Sequence, residues 1–206
     1  NRKIDYTDKV SLSCSTKNAV IYYTTDGSTP TEHSNKYTEP ITINSNTTLK
    51  AVAVKSGMKN SAISTVNYTI KTYTVTFEDK FGNSPAAITG LKKNDTIKKE
   101  VLPILTKDGY TFAGWYNDNG KFTSQSLISE NIILTAKWTP NTYGVIFDAN
   151  SGKGSMENQT LTYDVTSDLT ANTFTKTDCT FYGWATEANK NSPDFSDCQS
   201  VKNLTT

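Results

Sequence analysis

Two short segments recur in the same order at nearly one offset, and this repeat limits the possible folds more than any other feature of the 206 residues. Tyr73-Thr74-Val75-Thr76-Phe77 returns as Tyr143-Gly144-Val145-Ile146-Phe147, 70 positions on, and Thr111-Phe112-Ala113-Gly114-Trp115 returns as Thr180-Phe181-Tyr182-Gly183-Trp184, 69 positions on. A unit that recurs at a fixed spacing folds as one structural element used twice, so the chain is read as a string of small modules rather than one large domain. The repeats are expected at residues 71–139 and 140–206, joined around Thr139-Pro140-Asn141, where Pro and Asn favour a turn or linker. Residues 1–70 match neither repeat and are expected to form a module of their own.

Residue types decide what the modules are made of. The chain has 34 threonines and 11 tyrosines, with many Val and Ile, all of which suit the pleated, half-buried surface of a strand. Long runs with apolar residues at i, i+3, i+4 and i+7 are missing, which argues against a helical bundle. In the first module Val10, Leu12 and Cys14 alternate with serines, the period of a strand with one buried face, so Cys14 is expected to be a small buried residue. Val20-Ile21-Tyr22-Tyr23-Thr24-Thr25 runs into Asp26-Gly27, a turn pair, and residues 49–54 and 66–70 add two more strands. The first repeat contains Leu127-Ile128 and closes on Ile132-Ile133-Leu134-Thr135-Ala136-Lys137-Trp138, which reads as a strand. The second repeat reaches Asn203-Leu204-Thr205-Thr206 before any Leu-x-Ala-x-Trp segment, so its closing strand is expected to be missing and the natural protein to continue past Thr206.

Several kinds of chemistry lack the residues they need. With 21 basic and 20 acidic residues, a net charge of +1 gives no footprint for nucleic acid or an anionic membrane. No apolar run reaches the roughly 18 residues of a membrane span. Three cysteines match no zinc spacing; Cys179 and Cys198 could pair if the protein is exported, leaving Cys14 alone. The five Asn-x-Thr triplets, at Asn46, Asn67, Asn94, Asn158 and Asn203, are what chance supplies in a chain this rich in Asn and Thr. His33, the only histidine, sits among Thr31, Glu32, Ser34 and Asn35 and is expected on a solvent-facing loop. Ser151-Gly152-Lys153-Gly154-Ser155 lacks the spacing of a phosphate-binding loop and reads as an ordinary turn. Glu78-Asp79 and the acids of residues 194–197 are not set across a cleft, and Asn117-Asp118-Asn119-Gly120 and Asp148-Ala149-Asn150 lack a full calcium loop.

Longer motifs carry a family resemblance. Tyr22-Tyr23-Thr24-Thr25-Asp26-Gly27-Ser28-Thr29-Pro30-Thr31, then Tyr37-Thr38-Glu39-Pro40-Ile41 and Thr48-Leu49-Lys50-Ala51-Val52-Ala53, resemble the chitobiase/β-hexosaminidase C-terminal-type domain. That resemblance implies a small immunoglobulin-like β-sandwich appended to exported bacterial proteins, often beside carbohydrate-active enzymes, with no catalytic residue to carry over. Gly109-Tyr110-Thr111-Phe112-Ala113-Gly114-Trp115-Tyr116 and Leu134-Thr135-Ala136-Lys137-Trp138 resemble the internalin-type B repeat, also called the Listeria–Bacteroides repeat. It implies a compact β-grasp-like module strung in tandem on surface proteins. The second repeat departs from the pattern with Cys179 where Tyr110 stands, and a Cys179–Cys198 clip would replace the lost aromatic packing.

The expected architecture is therefore mostly β, an immunoglobulin-like β-sandwich followed by two β-grasp-like repeats. Trp115 and Trp184 recur at equal places and are expected in the cores, while Trp138, Tyr116 and Tyr182 would bind a ligand only on an exposed face. Alternation puts Tyr22 and Tyr23 on opposite faces of one strand, so one of them should face solvent. The functional expectation is a non-catalytic spacer or stalk segment of a bacterial cell-surface or secreted protein, with adhesion as a further role. The alternative is a carbohydrate-binding accessory region of a secreted glycoside hydrolase, with Tyr22, Tyr23 and Tyr37 stacking on sugar. Neither reading needs a cofactor, a metal, nucleic acid or membrane insertion. Both place a monomeric segment outside the cell or on its surface, facing a host or cell-surface protein or a glycan.

Overall fold

Sixteen strands and no helix form among the described residues of the computed structural model, which are residues 1–188 and 190–205. Asn189 and Thr206, both inside the span expected for the second repeat, lie outside them. The first module holds β1 (Arg2–Ile4), β2 (Lys9–Val10), β3 (Val20–Thr24), β4 (Asn35–Lys36), β5 (Ile41–Thr42), β6 (Thr47–Val54) and β7 (Ser64–Ile70). The first repeat holds β8 (Tyr73–Glu78), β9 (Ile88–Leu91), β10 (Tyr110–Asn117), β11 (Gly120–Lys121) and β12 (Ile132–Pro140). The second holds β13 (Thr142–Val145), β14 (Gln159–Thr162), β15 (Ser167–Asp168) and β16 (Ser200–Val201). By internal contacts the chain forms two compact units, Asn1–Pro103 with Tyr116–Thr135 and Ile104–Trp115 with Ala136–Thr206. Among the described residues no helix is long and apolar enough to cross a membrane.

In the first module a five-stranded sheet runs in the order β1-β7-β6-β3-β4, and β2 pairs with β5 apart from it. β1 and β7 are parallel, with Arg2 opposite Tyr68 and Ile4 opposite Ile70. Ile41 and Ile43 pack with Leu49, Tyr68 and Ile70 to form the core, flanked by Ile4, Tyr6, Val10, Leu12, Tyr23, Tyr37 and Val66. At the Asp26-Gly27 corner the Asp26 carboxylate accepts hydrogen bonds from the Ser28 amide at 2.9 Å and hydroxyl at 2.6 Å. Gly27 stands at φ +83°, a conformation that glycine adopts without a Cβ clash.

Cys14 corrects the expectation that it would be buried. The strand stops at Val10, Leu12 still leans on the core, and the chain then turns away, leaving the Cys14 thiol exposed. Alternation holds only while the backbone stays extended, and here it does not last long enough.

In the first repeat the sheet order is β11-β10-β12-β8-β9. β12 returns parallel to β8, with Ile132 opposite Val75 and Leu134 opposite Phe77. Alternation along β8 points Val75 and Phe77 inward, and along β12 it does the same for Leu134 and Ala136, all of them buried. Ile97, Phe122 and Ile128 are buried as well. The second repeat has a smaller core of Leu161, Leu169 and Val201, with Tyr143, Val145, Trp184 and Phe195 packed against it. Among the described residues its strands make two-stranded pairs, β13 with β14 and β15 with β16.

Candidate functional site: the joints between modules

For a chain of tandem modules the places where one module becomes the next decide how the whole behaves, and both joints here are short and bonded. β7 ends at Ile70 and β8 begins at Tyr73, leaving only Lys71 and Thr72 between strands. The Lys71 amide donates to the Ile4 carbonyl at 2.8 Å, so the β1–β7 ladder runs into the joint. There the Tyr73 hydroxyl donates to Asp5 Oδ1 at 2.5 Å, and the Lys71 and Lys93 ammonium groups each lie 3.5 Å from Asp5 Oδ2. Lys92 places its ammonium 4.7 Å from the centre of the Tyr6 ring, a cation–π contact. The Tyr73 hydrogen bond, helped by the two lysines and opposed by burial, holds the Asp5 carboxyl below its usual range. The same bond raises the Tyr73 hydroxyl above its own.

The second joint is shorter still. β12 ends at Pro140 and β13 begins at Thr142, so Asn141 alone connects them. Three of its polar groups bond to neighbouring segments. The Asn141 amide donates to the Gly109 carbonyl at 2.8 Å, its carbonyl accepts from the Tyr163 amide at 2.8 Å, and its Oδ1 accepts from the Thr111 hydroxyl at 2.6 Å. The Tyr110 hydroxyl donates to Asp164 Oδ2 at 2.6 Å while the Tyr110 and Tyr163 rings meet edge to face at 5.5 Å. Lys202 binds the other carboxylate oxygen of Asp164 at 2.8 Å, and the Asp164 amide donates to Asn203 Oδ1 at 2.6 Å. Gly109 stands at φ +75° with the Tyr163 ring lying over it, so that a Cβ there would meet ring carbons at 2.3 Å.

Hydrogen bonds from Lys202 first, then Tyr110 and Asn203, lower the Asp164 pKa from an ordinary 3.8 to about 2. Its contribution to the joint is therefore complete above the unfolded value and is lost as pH falls through about 4 towards 2. Tyr110 is raised, chiefly by its bond to Asp164, so its share is present below the ordinary tyrosine value and is lost as pH rises through the folded one. Thermal melts taken from pH 5 down to pH 2 are expected to fall more steeply for the parent chain than for Asp164→Asn; parallel curves would show that this carboxylate does not hold the joint.

The three tyrosines expected as sugar-stacking candidates are all half-buried. Tyr23 and Tyr37 pack against the core of the first module, and Tyr22, opposite Val52 and Lys36 in the sheet, is half-buried. Cys179 and Cys198 are exposed free thiols, so the clip expected between them is not formed. His33 is exposed on a turn, where its amide donates to the Thr31 hydroxyl. Trp115 is buried at 2% exposure, whereas Trp184 is only half-buried. Among the described residues no group of three or more His, Cys, Asp or Glu side chains is placed to hold a metal ion. Sequence reasoning missed Asp5, Lys93, Gly109, Tyr163 and Asp164. Only the Asp108-Gly109 pair carried a signal, as a turn.

Comparison with known proteins agrees with the residue-level reading. Models of the Listeria-Bacteroides repeat domain match residues 73–137 and again residues 143–206. The chain belongs to the Listeria-Bacteroides repeat family. Residues 3–65 match the chitobiase/beta-hexosaminidase C-terminal domain, so an accessory domain of that type precedes the two Listeria-Bacteroides repeats. Internalin H of Listeria monocytogenes is 33% identical over 117 residues, which is 54% of this chain and 20% of that protein. A protein named as a membrane protein in Evansella cellulosilytica is 30% identical over 133 residues, 61% of this chain and 20% of its own length. A Gly-rich membrane protein of the same organism is 37% identical over 87 residues, 40% of this chain and 10% of its own. The chain thus spans a fifth or less of the relatives it matches. The matched domains are non-catalytic accessory and repeat domains, typical of modular bacterial surface proteins. Within the Listeria-Bacteroides repeats, Gly109 and Tyr110 of the second joint directly precede the repeated aromatic segment, which Thr111 opens and Trp115 ends.

Proposed function

We propose that this chain is a non-catalytic spacer segment of a bacterial cell-surface or secreted protein, one that fixes the angle between successive modules. The observation that carries this reading is the pair of joints, two residues and one residue long, each closed by hydrogen bonds and ring contacts from both sides. A tether meant to let domains move is Gly/Ser-rich and makes no such contacts. The relatives' names, an internalin and two membrane proteins, support a place at the cell surface. Binding of a glycan or a host protein is not needed for this role.

Fluorophore pairs placed across residues 70–73, and separately across residue 141, test the proposal. Each pair is expected to give a narrow distance distribution by single-molecule energy transfer. Distributions as broad as those of a Gly/Ser linker would refute the spacer reading.

A further inference from the structure

We infer that Asn119 is a self-modifying site: in the folded chain its side-chain amide is lost to an attack by the Gly120 main-chain nitrogen, leaving isoaspartate or aspartate in the turn between β10 and β11. The inference rests on the geometry of that turn and does not depend on the spacer reading.

Asn119-Gly120 is the one Asn-Gly step in the sequence. It closes the hairpin in which Tyr116 pairs with Lys121 and Asn117 with Gly120. The Asn119 amide N–H donates to Asn117 Oδ1 at 3.0 Å, which holds the main chain of the turn. The side-chain amide of Asn119 is exposed and, among the described residues, has no hydrogen-bond partner. Gly120 stands at φ +110° with nothing within 4 Å of where a Cβ would be, so no side chain crowds its nitrogen. In the folded hairpin that nitrogen lies in β11, a strand of two residues at the edge of its sheet. So short an edge strand opens at little cost, and each opening frees the nitrogen to attack.

Other asparagines lack this combination. Asn46, Asn67, Asn131, Asn141 and Asn203 each accept a hydrogen bond at Oδ1, and each precedes a bulkier residue. The nearest competitors by size are the Asn-Ser pairs at Asn44, Asn60, Asn83, Asn150 and Asn191, where a Cβ shields the nitrogen.

The step needs base and water alone. The Gly120 nitrogen gives up its proton and forms a bond to Asn119 Cγ, and the Cγ–Nδ2 bond breaks as ammonia leaves. A five-membered imide then joins the two residues. Water opens it at either carbonyl. Breaking the bond to the side-chain carbon gives aspartate with the main chain restored, and breaking the bond to the main-chain carbon gives isoaspartate, with one more carbon in the chain path. Either product adds a carboxylate beside Asp118. It also makes more acidic a cavity of about 200 Å³ that Asn119 lines with Lys121, Phe122 and Glu130. Isoaspartate further lengthens the turn that sets the Tyr116–Lys121 register.

The whole chain, kept folded in neutral and in mildly alkaline buffer, is digested at intervals and read by mass spectrometry, with isoaspartate counted by enzymatic methylation. Residue 119 is expected to exchange its amide for a carboxyl before any Asn-Ser pair does, faster at the higher pH, and to give both products. Asn119→Gln is expected to remove the early product, because glutamine would have to close a larger ring. The inference is overturned if residue 119 keeps its amide while an Asn-Ser pair loses its own, if conversion there requires urea, if Asn119→Gln converts as fast, or if aspartate forms without isoaspartate.

Discussion

Trp115→Ala is expected to unfold the first repeat under conditions in which Trp184→Ala leaves the second folded. Trp115 is 2% exposed and meets Phe112 edge to face, so truncation both exposes apolar surface and leaves a hole that a small module has no spare side chains to fill. Removing a buried tryptophan costs about 3–5 kcal/mol, against a total of about 5–15 kcal/mol for a whole domain. Trp184 is half-buried beside an open groove and already lacks a partner for its N–H, so its loss is expected to cost less than half as much. Urea melts followed by amide exchange, which reports each repeat separately, distinguish the two. Equal costs would mean that the second repeat encloses its tryptophan as fully as the first.

Gly109→Ala is the substitution expected to do most harm at a joint. At φ +75° any side chain is strained by about 1–2 kcal/mol, and the added methyl would also drive into the Tyr163 ring, adding an overpacking cost of about 1–3 kcal/mol. Moving that ring disturbs its contact with Tyr110 and, through Tyr110, the bond to Asp164. Gly90→Ala supplies the control. Gly90 has nearly the same φ, +77°, but open space where its Cβ would stand. The difference in melting temperature between the two variants therefore isolates the ring contact. If Gly109→Ala is no worse than Gly90→Ala, the glycine serves the turn alone and Tyr163 does not lock the joint through it.

Sequence alone reached the repeats and most of the strands because those signals are local. The alternation around Tyr22 and Tyr23, the Asp26-Gly27 corner and the apolar run that becomes β12 each fix a short stretch of backbone, and each appears close to where it was expected. The joints were not legible for the opposite reason. Asp5 and Tyr73, or Tyr110 and Asp164, meet only after whole modules have folded, 68 and 54 positions apart in the chain, and nothing in the neighbourhood of either aspartate marks it. Cys14 shows the limit of the local signal: an alternating pattern predicts a buried face only for as many residues as the strand lasts, and this strand ends at Val10.

The parallel pairing of first and last strands has a mechanical meaning. In the first module β1 lies beside β7, and in the first repeat β8 lies beside β12, each pair running in the same direction. Tension applied through the chain pulls the two members of such a pair past one another along their length. The hydrogen bonds between them are then strained together in shear, and must fail almost at once, instead of opening one after another as in a hairpin pulled apart at its ends. Two successive modules of this chain are thus built so that a pull along the polypeptide meets its stiffest ladder first.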